Sequence, residues 1–427
     1  MSIIVKLKQL IATHFPVVSD IKKMILIRSV EKKQRSALSI LKKKEVYRCV
    51  FLAIDISVWK YDGVFRLMMN NSRFEPIVLV CPMVNHGEKV MWEKMEQCIS
   101  FYKEKGYNVV SSYDRNNHRF IDLRKELAPD ILFYTNPYKG LIDDRYFITN
   151  HLDLLTVYVP YFLSNAKDIN FSNNQLLHNL VWRNYLEFDF NLEVCKKYTL
   201  NRGKNAVVTG YPGIESLIDH HNYKDQFNGD KRKRIIWAPH HMLEAGKYGH
   251  SCFLKYANYM LDITKSFENE VIFIFKPHPL LRAKLYKEWG TKKTDEYYYN
   301  WSNGNNTTIN EGDYYDLFLS SDAMIHDSGS FVVEYLYVNK PVMRTVNDVP
   351  LEEQFNEFAL TCLQNYYMAN NEADIKQFVN NVINGIDPLE ERRTRFVHEV
   401  LMPKGSPSQN IITDIIDSID NQIQYRN

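Results

Sequence analysis

Short apolar runs alternate with longer polar, amphipathic stretches from Tyr47 onward, and this alternation predicts an α/β protein with parallel sheets. The pattern stops at Gly210-Tyr211-Pro212-Gly213, gives way to a charged stretch, and restarts at Ile235. A chain of 427 residues, 45% of them apolar, can fill two cores of ordinary size. We therefore predict two Rossmann-like, doubly wound domains that face a cleft, preceded by a basic helical extension.

The predicted segments are a basic amphipathic helical extension (1–46), an N-terminal domain (47–212), a linker (213–232), a C-terminal domain (233–400) and a last segment (401–427). Isoleucines at helical spacing in the last segment predict a helix that packs across the domain seam. Tyr297–Thr308, which is rich in Tyr and Asn, is predicted as a loop. The predicted strands are Arg48–Ile56, Pro76–Cys81, Tyr107–Ser111, Asp130–Tyr134, Leu154–Val159 and Ala206–Thr209, then Ile235–Ala238, Val271–Phe275, Ala323–Ile325 and Lys340–Met343.

One candidate site follows the strand Val271–Phe275. Lys276-Pro277 ends that strand because proline cannot continue the hydrogen-bonded ladder. His278 then lies on a loop at the carboxyl end of a strand, which is where open α/β sheets bind ligands. Both Lys276 and His278 can bind negative charge, such as that of a phosphate group.

A second candidate site follows the next buried strand. Asp327-Ser328-Gly329-Ser330 predicts a turn into a helix at Phe331–Val338. Ser328 or Ser330 can cap that helix, Gly329 permits close approach of a ligand, and the first helical N–H groups favour an anion. In this order along the chain, the two loops predict a site for a nucleotide diphosphate.

Further residues of the C-terminal domain have two interpretations each. His240 and His241 end its first strand, and either at least one of them points into the cleft or the two form a loop pair that is hydrogen-bonded to backbone. Glu334 either accepts hydrogen bonds from ribose hydroxyls or is an exposed helix acid. Arg282 either adds a cation to the site or is a solvated helix charge, the interpretation we favour.

Basic charge is concentrated at the N-terminus. Residues 1–48 hold twelve Lys or Arg against three acidic residues, whereas the remainder of the chain is mildly acidic. Isoleucines and leucines recur among these lysines at roughly helical spacing, which is typical of helices on an anionic membrane face. The alternative is a helix pair packed on the protein's own surface. Nucleic-acid binding is not indicated, because no recognition motif accompanies the charge.

Metal and disulfide chemistry is not indicated by the sequence. The six cysteines are scattered without CxxC spacing, as expected for reduced thiols of a cytoplasmic protein. No acidic cluster has the spacing of a dedicated metal site, so we predict no metal site and no required cofactor. Mg²⁺ carried by a bound diphosphate stays compatible with the sequence. No apolar run is long enough to span a membrane, and no signal peptide is indicated.

The motifs resemble those of the CDP-glycerol glycerophosphotransferase family of teichoic acid and capsule enzymes. The resemblance spans roughly 204–344: Gly210-Tyr211-Pro212, Ala238-Pro239-His240-His241, Lys276-Pro277-His278-Pro279, and Ser321–Leu336 followed by Lys340-Pro341-Val342. It implies a GT-B architecture with a CDP-linked donor in the C-terminal domain and a lipid-linked or polysaccharide acceptor in the N-terminal one. By position, His278 matches the family histidine that contacts the donor diphosphate, and Ser328 and Ser330 match its serine pair.

The chain departs from the family in the N-terminal domain. Teichoic acid polymerases have Trp-His-Gly-Thr-Pro after a strand, whereas Val159-Pro160-Tyr161-Phe162-Leu163 stands here without a histidine. The general base therefore has to come from elsewhere. Asp55, at the end of the first strand, is the best-placed candidate, and His86 and His151 stand behind it.

We therefore expect a peripheral enzyme of the inner membrane face that moves glycerol phosphate, or a related polyol phosphate, from a CDP-linked donor to a cell-surface polymer. A GT-B glycosyltransferase that uses a nucleotide sugar is one alternative. A UDP-N-acetylglucosamine 2-epimerase is another, and Asp143, Asp144 and Asp153 would then supply acid and base. A non-catalytic binding module is the third.

Overall fold

The computed structural model describes residues 16–85, 87–218, 223–225, 227, 229–244, 251–312 and 314–425. The chain divides into two compact units. The first unit contains the residues up to Ser164, Asp168–Gly213 and the residues from Pro403 onward. The second unit contains Asn165–Lys167 and Ile214–Met402.

The first unit is built on a seven-stranded sheet in the order β3-β2-β1-β6-β7-β8-β9, and every neighbouring pair in it is parallel. A two-stranded antiparallel hairpin, β4-β5, follows β3 in the chain. The strands are β1 (Tyr47–Ala53), β2 (Phe74–Val80), β3 (Val109–Ser111), β4 (Tyr113–Asp114), β5 (Arg119–Phe120), β6 (Ile131–Tyr134), β7 (Leu155–Tyr158), β8 (Arg183–Leu186) and β9 (Ala206–Val208).

Helices connect these strands, as parallel pairing requires. The residues of β1, β6 and β7 are almost all buried, which explains their continuous apolar sequences. The α-helices of this unit are Pro16–Leu41, Asp62–Met69, Glu88–Glu104, Ile169–Asn173, Leu176–Leu180, Asp189–Tyr198 and Pro407–Asp420.

The N-terminal helix Pro16–Leu41 packs on the first unit along one face. Ile27 and Val30 join the core cluster of the first sheet, and the buried Gln34 donates to the carbonyl of Leu180 at 2.9 Å. Packing on the protein's own surface is thus confirmed for this part of the helix. Residues 1–15 lie outside the described chain.

The C-terminal helix Pro407–Asp420 also belongs to the first unit. It contacts the helix Asp62–Met69, and its Asp414 forms an ion pair with the fully buried Arg183 of β8 at 2.8 Å. Asp414 accepts a second hydrogen bond from Tyr185. The isoleucines of the helix are buried, as their spacing predicts.

The second unit is built on a six-stranded sheet, all parallel, in the order β12-β11-β10-β13-β14-β15. Stacked aromatic rings fill one side of it, with Trp237, Phe275 and Trp301 in mutual contact. The strands are β10 (Lys233–Ala238), β11 (Val271–Phe275), β12 (Thr307–Ile309), β13 (Ala323–His326), β14 (Val342–Thr345) and β15 (Tyr367–Ala369). The α-helices are Glu215–Ile218, Phe253–Ser266, Leu281–Glu288, Thr291–Asn303, Tyr315–Ser320, Phe331–Glu334, Leu351–Gln354, Glu357–Leu363, Glu372–Ile383 and Glu390–Phe396.

The predicted α/β fold class is confirmed, and the differences from the predicted elements are local. The predicted loop Tyr297–Thr308 is wrong: its first half belongs to the helix Thr291–Asn303, where Tyr297 and Trp301 are buried, and its end forms β12. Strands β8 and β15 were absent from the prediction. The predicted helix Phe331–Val338 is present as an α-helical turn to Glu334 that continues as a 3₁₀ helix over Tyr335–Val338.

Candidate nucleotide-diphosphate site

Three strands of the second unit end at the same edge of its sheet. Because β10, β11 and β13 are parallel neighbours, the residues that follow them meet there. The backbone N–H of His278 donates to the carbonyl of Pro239 at 3.3 Å. The N–H of His240 donates to Asp327 at 2.5 Å. The loops singled out in the sequence are therefore joined directly to one another.

Three histidine rings converge between these loops. The ring centres of His240 and His241 lie 4.3 Å apart, and that of His278 lies 5.1 Å from the first and 4.0 Å from the second. All three side chains are half-buried. The sequence predicts that His240 and His241 lie on the loop after the first strand of this unit. In the structure their rings form one cluster with the ring of His278.

Burial makes the His278 ring neutral. Desolvation, followed by repulsion from His241, Lys276 and Lys284, lowers its pKa to about 3. Its Nδ1 accepts a hydrogen bond from the N–H of Leu280 at 3.1 Å, so the proton of the neutral ring resides on Nε2. His278 therefore presents an N–H donor to a ligand rather than a full positive charge.

The position of the ring protons also determines whether the histidine cluster suits a metal ion. Within the described residues, His240, His241 and His278 form one group close enough to share an ion. A metal-bound histidine usually donates its second ring N–H to an acceptor. Here the Nδ1 atoms of His240 and His278 instead accept from backbone N–H groups, at 3.4 and 3.1 Å. His240 and His278 therefore keep their Nε2–H groups as hydrogen-bond donors.

Asp327 braces the loops of the site. One carboxylate oxygen accepts from the N–H of His240 and the other from the N–H of Cys252, both at 2.5 Å. Burial raises its pKa to about 6 against the lowering effect of these hydrogen bonds. Because both oxygens have backbone partners, Asp327 fixes the histidine loop and the start of the helix Phe253–Ser266.

The serine pair differs from its predicted capping role. Ser330 occupies the N-cap position with helical backbone angles and makes no capping hydrogen bond, and its side chain is exposed. Ser328 is buried, and its carbonyl accepts from His326 at 3.1 Å. The α-helical turn Phe331–Glu334 is short, so its dipole adds little at this point.

Gly329 has open space around it. An added Cβ would meet only the Oδ1 atom of Asn165, at 4.0 Å. The carbonyl of Gly329 accepts from the Nδ2 atom of the same Asn165 at 2.5 Å, which fixes the turn. A side chain at position 329 would therefore project into the open space next to the turn Asp327–Ser330.

Lys276 and Glu334 are linked through Tyr314. The Nζ atom of Lys276 donates to the carbonyl of Gly312 at 2.8 Å and lies 5.7 Å from the centre of the Tyr314 ring. The Tyr314 hydroxyl donates to Glu334 at 2.8 Å. Glu334 is only 3% exposed, so the interpretation as an exposed helix acid is wrong. Arg282 is paired with Asp295 at 2.9 Å on the helix surface.

Arg344 was missed in the sequence. It lies at the end of β14, fully buried, with its guanidinium 4.8 Å from the centre of the Phe355 ring and a hydrogen bond of 3.4 Å to the Ser328 carbonyl. Burial lowers its pKa, and Asp327 opposes that effect. A cation inside an apolar strand is the signal that could have identified it.

The predicted bases of the first unit lie in different places. Asp55 follows β1 at the carboxyl edge, but it accepts from the N–H of Ser57 and pairs with Lys94 at 2.7 Å. Although burial raises its pKa, these partners lower it more, which weakens it as a base. His151 is buried and precedes β7, at the amino edge, where its Nε2 contacts the Arg145 carbonyl. His86 lies outside the described residues.

A further acid, Glu187, lies directly after β8 at the carboxyl edge of the first sheet. Its side chain is 4% exposed, and one oxygen accepts from the N–H of Ser164 at 3.4 Å. The other oxygen is buried without a hydrogen-bond partner among the residues that the structure describes. Burial raises its pKa to about 7, the value expected of a base at neutral pH.

The loops of the candidate site lie within a region that matches a known protein family. Residues 189–395 match the family described as CDP-Glycerol:Poly(glycerophosphate) glycerophosphotransferase. This region belongs to that family. The resemblance inferred from the motifs is thereby confirmed, and the chain is a transferase of the glycerophosphotransferase type. No curated protein sequence matches the chain.

Solved structures share the fold over nearly the whole chain. The wall teichoic acid polymerase TagF is 13% identical, with a TM-score of 0.54, and the match covers 95% of this chain and 99% of that one. A TagF variant soaked with CDPG is 12% identical, with a TM-score of 0.52, and the match covers 95% of this chain and 99% of that one. The UDP-GlcNAc 2-epimerase from Neisseria meningitidis bound to UDP-GlcNAc is 13% identical, with a TM-score of 0.53. This match covers 87% of this chain and 99% of that one. These matches confirm the GT-B-like fold.

Proposed function

We propose that the protein transfers glycerol phosphate, or a related polyol phosphate, from a CDP-linked donor to a hydroxyl of a lipid-linked or polysaccharide acceptor. The product would be a cell-surface polymer of the teichoic acid or capsule type. The observation that carries the proposal is the family match over 189–395, which contains both loops of the histidine cluster. The TagF variant soaked with CDPG supports the same donor class.

The reaction needs one bond formed and one bond broken. The acceptor oxygen attacks the phosphorus that carries the glycerol, and the bond between that phosphorus and the bridging oxygen breaks, so CMP leaves with the electron pair. The Nε2–H groups of His278 and His240 would donate to the phosphate oxygens as charge develops on CMP. Lys276 would add positive charge from the neighbouring loop.

A base has to take the proton of the acceptor hydroxyl. Glu187 is our candidate, because its carboxylate has an unpartnered oxygen at a sheet edge and titrates near neutral pH. Asp55 is the weaker candidate, since its carboxylate is already bound to Lys94 and Ser57. No cofactor is required for this chemistry, and Mg²⁺ bound through the donor diphosphate stays a prediction.

We also propose that the N-terminal helix attaches the protein to the inner face of the membrane. No helix in the described part of the chain is long and apolar enough to cross a bilayer. Ile21 and Ile25 are more than half exposed on the stripe that continues with Arg28 and Lys32. Apolar and basic side chains on one face suit an anionic surface, at about 1 kcal/mol for each basic residue.

Vesicle sedimentation tests this attachment. The protein should sediment with phosphatidylglycerol vesicles at low salt and be released by high salt, and the double variant Ile21→Ser/Ile25→Ser should bind more weakly. Vesicles of phosphatidylcholine alone are the control. Equal recovery in the supernatant with both kinds of vesicle would contradict the proposal.

An epimerase or another nucleotide-sugar enzyme is the alternative, because the Neisseria epimerase shares the fold. Two of the three acids that it would require are already in ion pairs: Asp153 pairs with Arg124 at 2.6 Å, and Asp143 pairs with Arg145 at 2.8 Å. A thermal-shift panel of CDP-glycerol, CDP-ribitol and UDP-sugars separates these functions. We expect stabilisation by a CDP-linked polyol, whereas stabilisation by UDP-sugars alone would favour the alternative. A non-catalytic module would bind none of them tightly.

A further inference from the structure

A cavity of about 690 Å³ opens on the first unit, beside its edge strand β3. This volume lies within the about 300–1,000 Å³ that is typical of small-molecule sites. The helix Glu88–Glu104 forms one wall, and the β4-β5 hairpin forms the other. The residues that line the cavity belong to the first unit, whereas the histidine cluster belongs to the second.

Two aromatic side chains shape the apolar part of the cavity. The rings of Trp92 and Tyr113 meet edge to face with their centres 4.9 Å apart, and Tyr113 contacts Phe120 at the same distance. The indole N–H of Trp92 donates to Glu88 at 3.3 Å. These two contacts fix the Trp92 ring, which stays partly exposed, so an apolar ligand surface can bind to it at low entropic cost.

Met95, Ile99 and Ile121 complete the apolar wall, and the hydroxyl-bearing Ser100 and Ser111 also line the cavity. An apolar floor with a few hydrogen-bonding groups at its margin is the usual composition of a binding pocket. A saccharide is complementary to such a surface, because its ring has one face of C–H groups and a rim of hydroxyls. The aromatic face would stack against the C–H face, and the polar rim would bind the hydroxyls.

Charge decides between a saccharide and a phosphate polymer. The lining contains two carboxylates, Glu96 and Asp114, and one cation, Arg115. Arg115 is already paired with Glu96 at 2.6 Å and lies 5.6 Å from the centre of the Trp92 ring. Asp114 is in turn paired with Arg119 at 3.8 Å. A polyol phosphate chain carries a negative charge on every unit, and the only cation of this lining is already held in an ion pair. A neutral saccharide needs no free cation to bind.

We propose that this cavity binds a neutral saccharide unit of the acceptor. The inference rests on the proposed function, since a transferase that builds a cell-surface polymer has to hold a growing or priming glycan. It deepens that function by assigning the acceptor's sugar portion, rather than its phosphate portion, to the pocket of Trp92 and Tyr113. Trp92 is then a specificity-determining residue outside the reacting centre.

Calorimetry with purified full-length protein tests the site directly. Di-N-acetylchitobiose serves as the neutral probe, and a glycerol phosphate trimer serves as the anionic probe. The disaccharide should bind and the trimer should not. Trp92→Leu should weaken disaccharide binding by about tenfold or more, which corresponds to about 1.4 kcal/mol. Trp92→Phe keeps an aromatic face and should lose less.

A matched change of charge separates the two ligand classes. Glu96→Gln removes one carboxylate and releases Arg115 from its ion pair, so affinity for the trimer should rise while disaccharide binding is largely kept. Binding of the trimer but not the disaccharide by the unaltered protein would overturn the inference. Equal disaccharide affinity of the unaltered protein and Trp92→Leu would overturn it as well.

The failure of this inference can be distinguished from the failure of the proposed function. CMP release from CDP-glycerol together with no disaccharide binding at Trp92 would remove this inference and leave the proposed function standing. Disaccharide binding that depends on Trp92, without any CMP release from CDP-glycerol, would remove the proposed function alone.

Discussion

The His278 ring illustrates how local structure sets the chemistry of a residue. Its position after β11 was readable from the sequence, because Lys276-Pro277 ends the strand. Its neutral state was not, since it depends on burial and on His241 and Lys284, which come from other segments. His278 is consequently a hydrogen-bond donor through its Nε2–H group alone, and it keeps the same protonation state across the physiological pH range.

Replacing His278 should impair turnover without unfolding the protein. His278→Ala removes one hydrogen-bond donor aimed at the developing charge, so we expect kcat to fall about 10²-fold or more. Donor turnover and circular dichroism measure the two effects. His398→Ala, at an exposed histidine of the same unit, is the control and should leave kcat unchanged. Near-normal turnover of His278→Ala would remove His278 from the site.

Gly329 permits a second test of the donor site. An added Cβ is accommodated, because its nearest neighbour lies 4.0 Å away and the backbone φ is not positive. Gly329→Val should therefore change the melting temperature little and weaken CDP-glycerol binding strongly. Thermal denaturation and calorimetry are the measurements. A large fall in melting temperature with unaltered donor affinity would make the turn purely structural.

Glu187 was missed because nothing in the local sequence marks it. Its role depends on burial beneath the segment that contains Ser164, a contact between residues 23 positions apart. Its raised pKa of about 7 gives a signed prediction. The base is active when ionised, so kcat/KM of the unaltered enzyme should rise as the pH increases through about 7.

Glu187→Gln keeps the shape of the side chain and removes its basicity. We expect kcat to fall about 10²- to 10⁴-fold and the rise near neutral pH to disappear. Glu187→Asp should retain part of the pH-dependent activity. A pH profile of Glu187→Gln that matches the unaltered enzyme would assign the base elsewhere, with Asp55 as the next residue to replace.

The strand β8 shows why some elements escape prediction. Its sequence begins with Arg183 and Asn184, which interrupt the apolar run that marks a buried strand. Arg183 is nonetheless fully buried, because Asp414 of the C-terminal helix neutralises it. The helix Thr291–Asn303 was missed for a related reason: its buried Tyr and Trp residues are interspersed with lysines and asparagines typical of a loop.

The ion pair between Arg183 and Asp414 should hold the C-terminal helix on the first unit. Asp414→Ala leaves a buried guanidinium without its partner, so we expect a loss of about 3–5 kcal/mol in the free energy of unfolding. The matched control is Asp420→Ala on the same helix. Asp420 and its partner Arg73 are 43% and 33% exposed, so that change should cost less than about 1 kcal/mol. Equal losses in chemical denaturation would contradict this assignment.

The two-sheet organisation of the molecule was predictable because parallel sheets bury both faces and so leave continuous apolar strands in the sequence. The motif order also predicted that the loops of the histidine cluster meet, since parallel strands bring their carboxyl ends to one edge. The course of the last segment was less predictable. Residues from Pro403 onward return to the first unit through contacts such as Asp414 with Tyr185, which no local pattern encodes.

Transfer itself is the most direct test of the whole account. Purified protein would be incubated with CDP-glycerol labelled in the glycerol, with and without a lipid-linked saccharide acceptor, and both CMP and labelled lipid would be quantified over time. We predict that CMP release requires the acceptor and that each CMP is matched by one glycerol phosphate in the lipid fraction. Epimerisation of a UDP-sugar with no CMP released from CDP-glycerol would contradict the account.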